Sequence, residues 1–186
     1  MSPFIKLAAQ RRSVRRYQDR AVERQKIVSC LEAARLAPSA CNGQPWRFRV
    51  FAEEFTRREL GRIAFSGIYR SNGFAARAPV LVVALVKAAG LLPRIAGKLQ
   101  DKHYPLIDLG IACEHFVLQA VELGLGTCWL GWFNQRGVAR LLGCSRGLRP
   151  AIILSLGYPA GNEAPSPPRL ALEEIAGFDS APYSSR

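Results

Sequence analysis

The sequence predicts a domain in which helices cover both faces of a central β-sheet. Segments with helical and with strand periodicity alternate along the 186 residues. Two apolar runs, Pro79–Val86 and Ala151–Leu156, are dense enough in branched residues to be buried strands, the first on both of its faces. Hydrophobic residues make up 49% of the chain and charged residues 22%, the balance of a globular protein long enough to bury a full core. No repeat or shift in composition divides the chain. A single domain over residues 1–186 is expected, with a C-terminal arm from about residue 160 onwards.

The elements follow in order. Residues 3–10 read as a short helix ending at a basic cluster. Val22–Ala37 reads as an amphipathic helix with Ile27, Leu31 and Ala34 on one face. Pro38 ends it, because proline disfavours helical geometry in the residue before it. Trp46–Phe51 alternates Trp, Phe and Val with Arg, as a half-buried strand does. Glu53–Ile63 is a charged helix, and Pro79–Val86 a central strand. Residues 88–104 contain Gly90, Pro93 and Gly97 and read as a loop or a mobile helical flap. Leu106–Leu123 is a long helix stopped by Gly124 in the capping position. It is apolar on more than one face, which points to burial in a dimer interface. Thr127–Phe133 is a short strand or turn, Gln135–Leu142 a short helix, and Ala151–Leu156 a strand closed by Gly157-Tyr158-Pro159. Ala160–Pro168 is Pro-rich and extended.

Charge is the unusual feature. Lys and Arg number 26 against 14 Asp and Glu, for a net charge of +12. Such a surplus suits polyanions, and equally a phosphate-bearing ligand. The cations are nearly all Arg and are scattered rather than run together, which argues against nucleic acid as the main partner. The 5 cysteines form no CxxC pair and sit among apolar neighbours, as buried reduced thiols of a cytoplasmic protein would. Clustered metal ligands are absent. The N-terminus lacks the apolar region of a signal peptide, and no apolar run reaches membrane-spanning length. No GxSxG elbow, Walker A loop or HExxH occurs, so hydrolysis and phosphoryl transfer lack visible machinery. His103 and His115 make no ligand or triad pattern, and Asp108, Glu114 and Glu122 read as packed or interface side chains.

Three segments could carry chemistry. Arg11-Arg12-Ser13-Val14-Arg15 gathers three guanidiniums and a hydroxyl at a helix-to-strand junction. Phosphate needs convergent charge-assisted donors, which Arg offers in a fixed fork. In an extended stretch, alternation places Ser13 and Arg15 on one side. Taken alone, a solvated basic turn explains this segment as well. Pro38–Trp46 offers Ser39, Asn42 and Gln44 to the edge of a heterocycle, with Trp46 assigned to the core; a self-satisfied loop is the alternative. Gly124–Phe133 is rich in glycine, which lets a backbone approach a flat ligand closely. Its spacing is not the GxGxxG fingerprint, and a helix cap followed by a packed aromatic strand is the alternative.

Together the segments resemble the nitroreductase-like FMN-dependent oxidoreductase family. The stretches "RRSVRRY", "EAARLAPSACNGQPWRFRVF", "APVLVVAL", "DLGIACEHFVLQAVELGLGTCWLGWF", "LSLGYPA" and "PRLALEEI" occur in the family's order, from about residue 4 to residue 175. The resemblance implies an α+β fold: a three-layer α/β/α sandwich with a mixed, mainly antiparallel sheet, forming a homodimer with FMN at the interface. It implies NAD(P)H as electron donor and reduction of nitroaromatic, quinone or related acceptors by ping-pong hydride transfer. Flavin N5 is then the reactive centre, and no catalytic side chain is required. Arg11, Arg12, Ser13 and Arg15 match the segment contacting phosphate, ribityl chain and pyrimidine edge. Pro38, Ser39 and Asn42, with Gln44 nearby, match a loop reaching the flavin from the partner subunit. Asn72 matches a flavin-contacting asparagine, Gly131 and Trp132 the positions near N5, and Arg169 a C-terminal phosphate ligand. The family also hosts dehalogenation, dehydrogenation and flavin destruction. A non-catalytic flavin- or nucleic-acid-binding protein is the remaining alternative. Pro167 stands where a second basic phosphate ligand is often found, residues 88–104 are short for the family, and so is the arm.

Overall fold

The computed structural model describes residues 1–87, 102–161 and 167–178. In chain order these form α1 (Pro3–Gln10), α2 (Arg24–Arg35), a 3-10 turn (Ala40–Asn42), β1 (Trp46–Phe51), α3 (Glu54–Ala64), a 3-10 segment (Gly67–Arg77) and β2 (Val80–Lys87). They continue with α4 (Tyr104–Glu122), β3 (Gly126–Leu130), α5 (Gln135–Leu141), β4 (Leu148–Gly157) and α6 (Leu172–Ile175). The four strands form one sheet in the order β1-β2-β4-β3, each neighbouring pair antiparallel. A parallel bridge from Ser13 to Thr127 lies outside the named strands.

β2 explains the layout. Every residue from Val80 to Val86 is buried. Successive side chains point to opposite faces of a sheet. Val80, Val82, Ala84 and Val86 therefore join a cluster with α2 and α4, which includes Cys30, Leu109 and Phe116. Leu81, Val83 and Leu85 join a second cluster on the other face, with Leu60 of α3 and Val138 of α5. A strand with no polar face needs helices on both sides, and both sides have them. β1, at the edge, shows the weaker pattern. Trp46 is buried and Arg47 and Arg49 are exposed, as alternation requires, but Val50 is also exposed and Phe51 packs on the second cluster.

The expected helices and strands are present, with ends shifted by a few residues. The sequence carried no sign of the 3-10 segment. Gly67, Ser71, Asn72 and Gly73 break helical periodicity there, and its end is held from outside: the Arg57 guanidinium donates to the carbonyls of Ala76 and Ala78, each at 3.0 Å. The strand expected over Thr127–Phe133 begins at Gly126 and leaves the sheet after Leu130. Gly124 closes α4 at φ +73°. The flap expected at 88–104 lies outside the described residues up to 101, and α4 begins at Tyr104. Most of the extended stretch 160–168 is also outside them. Among the described residues no helix is long and apolar enough to cross a membrane.

The start of α2, the end of α4 and the end of β4 meet at Tyr158. Its hydroxyl donates to Glu23 at 2.6 Å and accepts from the Lys26 ammonium at 2.9 Å, which also donates to the Leu123 carbonyl at 3.1 Å. Arg20 pairs with Glu23 at 2.9 Å and lies over the Tyr158 ring at 3.9 Å. The Tyr158 hydrogen bond, more than Arg20 or Lys26, lowers the Glu23 carboxyl from its ordinary 4.5 to about 2. A lowered folded-state pKa adds stability that is complete above the unfolded value and is lost as pH falls through the folded one. Wild type should therefore exceed Glu23→Gln in thermal midpoint at pH 5 and above, with the gap closing between pH 4.5 and about 2. Unfolding scans across that range test this, and a pH-independent gap refutes it.

Candidate functional site

The basic segment is fixed by backbone rather than by side chains. After α1 the chain runs extended beside β3, where the Val14 N–H donates to the Thr127 carbonyl at 2.8 Å. Val14 is buried, while Ser13 and Arg15 on either side of it are exposed, as the alternation predicts. This approach requires Gly126: a Cβ there would overlap the Val14 side chain, reaching 2.8 Å from its Cβ. The far end is braced equally well. The Tyr17 hydroxyl bonds the Val14 carbonyl and the buried Ser155 hydroxyl, each at 2.8 Å. Gln18 N–H donates to Tyr158 O at 2.9 Å, and Ala160 N–H to Arg16 O at 3.0 Å.

Among the described residues none of the guanidiniums on this brace makes an ion pair. The ion pairs among the described residues join Arg20 to Glu23, Arg35 to Glu32 and Arg58 to Glu54. Arg12 folds back to donate to the carbonyls of Ala9 and Arg11. Arg11 and Arg15 both act on Cys128 of β3: burial pushes that thiol up, and the two cations partly oppose the shift. Glu114 of α4 is raised by burial, against the opposing influence of Arg11 and a hydrogen bond from Trp129. Arg11 thus faces a carboxylate whose charged form is disfavoured. Cys30 and Cys113 are pushed up to about 12 by burial, so they remain thiols at neutral pH.

The second segment is a strained loop. Cys41, Asn42 and Gln44 all have positive φ, at 53°, 50° and 41°. Non-glycine residues held there cost about 1–3 kcal/mol each and persist only where surroundings over-determine them. Ser39 Oγ accepts from Gln44 N–H at 3.0 Å, and the Gln44 amide donates to Asn42 Oδ1 at 2.9 Å. From outside the loop, Asp108 Oδ1 on α4 accepts from Ala40 N–H at 3.1 Å. Pro38, Asn42 and Gln44 are exposed and Ser39 is half-buried, while Trp46 is buried in the core as expected.

The third segment is clamped to the 3-10 segment. Asn72 Nδ2 donates to the Trp132 carbonyl at 2.9 Å, and the Trp132 indole N–H to the Ile68 carbonyl at 3.2 Å. The Tyr69 and Trp132 rings lie 5.0 Å apart. Even so, Trp132 is 56% exposed. Gly131 is exposed, and a Cβ there would meet nothing nearer than Ile152 at 3.9 Å. Asn72, Gly131 and Trp132 are therefore one unit, although 59 residues of sequence separate Asn72 from Gly131. The Val14–Thr127 backbone hydrogen bond joins the first segment to the third; among the described residues no hydrogen bond or ion pair joins the Pro38–Trp46 loop to either of them. Arg169 and Pro167 are exposed ahead of α6, and Arg169 makes no ion pair among the described residues. A cavity of about 360 Å³ opens between α3 and α5, lined by Arg62, Ser66, Asn134 and Arg140 among others, and holds none of the expected residues. No group of residues suited to a metal ion exists among those described.

Sequence reasoning missed two residues. Asp108 reads from sequence as a packed side chain, which its burial bears out; its hydrogen bond to Ala40 is what the sequence does not show, although an acid amid the apolar first half of α4 is a usable signal. Gly126 was read only as part of a glycine-rich stretch.

The fold is thus an antiparallel four-stranded sheet flanked by helices, with a basic segment bridged along its β3 edge. The family model for nitroreductases matches residues 8–158, and the chain belongs to the nitroreductase family, a family of oxidoreductases. A protein named putative NADH dehydrogenase/NAD(P)H nitroreductase from Methanothermobacter thermautotrophicus is 31% identical over 172 residues, covering 88% of this chain and 83% of that one. Bacillus subtilis FMN reductase (NAD(P)H) is 26% identical over 94% of this chain and 73% of its own length. An iodotyrosine deiodinase from Haliscomenobacter hydrossis is 26% identical over 81% and 76%. A nitroreductase family protein of known structure from Clostridium difficile superposes with a TM-score of 0.75 at 30% identity, covering 97% of this chain and 100% of that one.

Replacing Gly126 by Ala should push the basic segment off β3. Overpacking of this kind costs about 1–3 kcal/mol. Denaturant titration reads that loss, and a stability equal to wild type would contradict the close approach at Val14.

Proposed function

We propose that this chain is an FMN-dependent oxidoreductase that uses NAD(P)H to reduce nitroaromatic, quinone or related acceptors by ping-pong hydride transfer. The observation that carries the reading is the braced Arg11–Arg15 segment, whose cations make no ion pair among the described residues. Its donor set suits FMN: guanidiniums for a phosphate, the Ser13 hydroxyl for a ribityl chain, and a cation for an electron-rich ring edge. The FMN reductase and NAD(P)H nitroreductase names of its relatives support the same cofactor and donor.

When bound, FMN supplies the hydride chemistry between donor and acceptor. The chain's part is to bind, orient and exclude. In this reading Arg11, Arg12, Ser13 and Arg15 hold the phosphate, ribityl chain and pyrimidine edge, and Arg169 adds a phosphate contact. Arg12 already donates to two backbone carbonyls, which leaves Arg11 and Arg15 the less committed cations. Pro38, Ser39, Asn42 and Gln44 approach from a partner subunit. Gly131 and Trp132 offer backbone N–H to N5. The open space at Gly131 gives no reason within this chain for a glycine there, which suits a flat ligand on that side. Asn72 steadies Trp132 through its Nδ2 and keeps its amide oxygen for the flavin.

The proposed assembly is a homodimer of single three-layer α/β/α domains spanning residues 1–186. Leu106 and Ile107 of α4 are exposed, as are Phe4 and Ile5 of the adjoining α1. Gly110 lies within α4, where glycine costs about 1 kcal/mol against alanine, yet a Cβ there meets nothing within 4 Å. A second chain lying close to that face accounts for it. The free cysteines suit a reducing, cytoplasmic compartment. A second reading, reductive dehalogenation on the same site, draws on the iodotyrosine deiodinase relative.

Protein reconstituted with FMN should show flavin absorbance that NAD(P)H bleaches without oxygen. Each charge-assisted hydrogen bond is worth about 1.5–3 kcal/mol, or roughly ten- to a hundredfold in Kd. Arg12→Ala combined with Arg15→Ala should therefore weaken FMN by about a hundredfold or more. Unchanged occupancy by equilibrium dialysis would remove the phosphate and ribityl assignment. Steady-state rates with a panel of nitroaromatic, quinone and iodotyrosine acceptors then separate the two readings.

A further inference from the structure

The buried carboxylate of Asp108 is an expensive group in its setting. It lies in the second turn of α4, a helix whose other buried residues are Leu109, Ala112, Cys113, Phe116, Val117 and Ala120, and it is 6% exposed. Burying an acid is unfavourable unless hydrogen bonds compensate, and an alanine or leucine would serve the helix better. What it does make is a hydrogen bond to a loop 68 residues earlier, accepting from Ala40 N–H at 3.1 Å. That N–H opens the 3-10 turn Ala40–Asn42, directly ahead of the three residues with positive φ.

Two other sets of side-chain hydrogen bonds are internal to the loop, between Ser39 and Gln44 and between Gln44 and Asn42, and Arg47 of β1 donates to the Gln44 carbonyl at 3.2 Å. These fix the shape of the loop and its β1 end, and leave the Ser39–Ala40 end to be held from elsewhere. Asp108 ties that shape to α4, whose core face packs against α2 and the sheet. An acceptor oxygen fixed on a packed helix opposes the relaxation of three unfavourable backbone conformations.

We propose that Asp108 is a positioning residue for cofactor binding: through Ala40 it holds Ser39 and Asn42 where the flavin is met. The inference rests on the FMN reading above. Asp108 itself touches no cofactor in this scheme. Its acceptor oxygen, rather than its charge, is the working feature, so an isosteric amide retains the function and an isosteric hydrocarbon does not. Removing the donor from the other side, by Ala40→Pro, has the same consequence as removing the acceptor. The extended backbone of Ser39, at φ −148° and ψ 153°, is what a residue before proline adopts.

The test is FMN titration of apoprotein, followed by flavin fluorescence and by visible circular dichroism of the bound flavin, for wild type, Asp108→Asn, Asp108→Leu and Ala40→Pro. The apo thermal midpoint is measured alongside. The expected result is a tenfold or larger rise in Kd and an altered flavin dichroism for Asp108→Leu and Ala40→Pro. Asp108→Asn should recover wild-type dichroism and a Kd within about threefold. Equal Kd and equal dichroism across the set would overturn the proposal. So would failure of Asp108→Asn to rescue, which would make the charge the working feature. If Asp108→Leu does not fold, Ala40→Pro and Asp108→Asn decide the matter. Wild type that binds no FMN would overturn the cofactor reading instead, an outcome distinct from equal binding by all variants.

Discussion

The whole molecule depends on β2 having no polar face. Seven consecutive apolar residues, Val80 to Val86, are buried. Each large one contributes about 1.5–3 kcal/mol relative to exposure, but only if both faces are covered. That demand recruits α2 and α4 to one side and α3 and α5 to the other. It also sets the sheet order, because a strand buried on both faces must have neighbours on both edges. β1 and β4 take those edges, and β3 then lies beyond β4, able to pair with the N-terminal segment. The basic cluster reaches its place because the core places an accepting strand there, not through any attraction among its own like charges.

Long periodic elements were legible in the sequence because their cause is local. The Trp-Arg-Phe-Arg alternation of β1 and the unbroken run of β2 state their own burial. The 3-10 segment Gly67–Arg77 was not legible. Its conformation comes from Arg57 of α3 and from the clamp to Trp132, contacts made at a distance in sequence. The same holds within the site. Alternation foretold that Ser13 and Arg15 would share a side; the burial of Val14 on the other side came with the structure. Nothing in the spacing of Gly126 announced that Val14 needs its missing Cβ, since that depends on which strand the segment pairs with. Asp108 was visible as an anomaly in an apolar helix, but its partner Ala40 donates through backbone, which sequence cannot mark.

The three segments differ in how they are held, and the differences match the tasks proposed for them. The basic segment is fixed by main-chain hydrogen bonds and by the Tyr17 hydroxyl, a hold that does not draw on the Arg11 and Arg15 side chains. The Trp132 unit is fixed by side-chain donors onto carbonyls, Asn72 on one side and the indole on the other. That leaves an aromatic face open while both ends of the residue are hydrogen-bonded. Rigid aromatic surface lowers the entropic cost of ligand stacking. The Pro38–Gln44 loop is fixed against its own backbone preference, with strain held by a few hydrogen bonds. Strain of this sort belongs at functional sites, where geometry matters more than local stability.

The net charge of +12 sets a background against which the site must be judged. A positive field of that size attracts FMN, NAD(P)H, nucleic acid and simple phosphate alike, raising encounter rates without selecting among them. It is also screened over about 8 Å at physiological salt. Selection therefore has to come from groups fixed within a few ångströms of the ligand. Arg20, Arg35 and Arg58 contribute to the field but are paired with Glu23, Glu32 and Glu54, and their charge is largely cancelled locally. Arg11 and Arg15 are different: they project from a braced backbone, without such partners among the described residues, beside Cys128 on β3. Scattered cations could never single out one anion. A short segment whose geometry is dictated by the sheet can, and in the proposed reading that is why Arg11–Arg15 outweigh the rest of the basic surface in selecting the ligand.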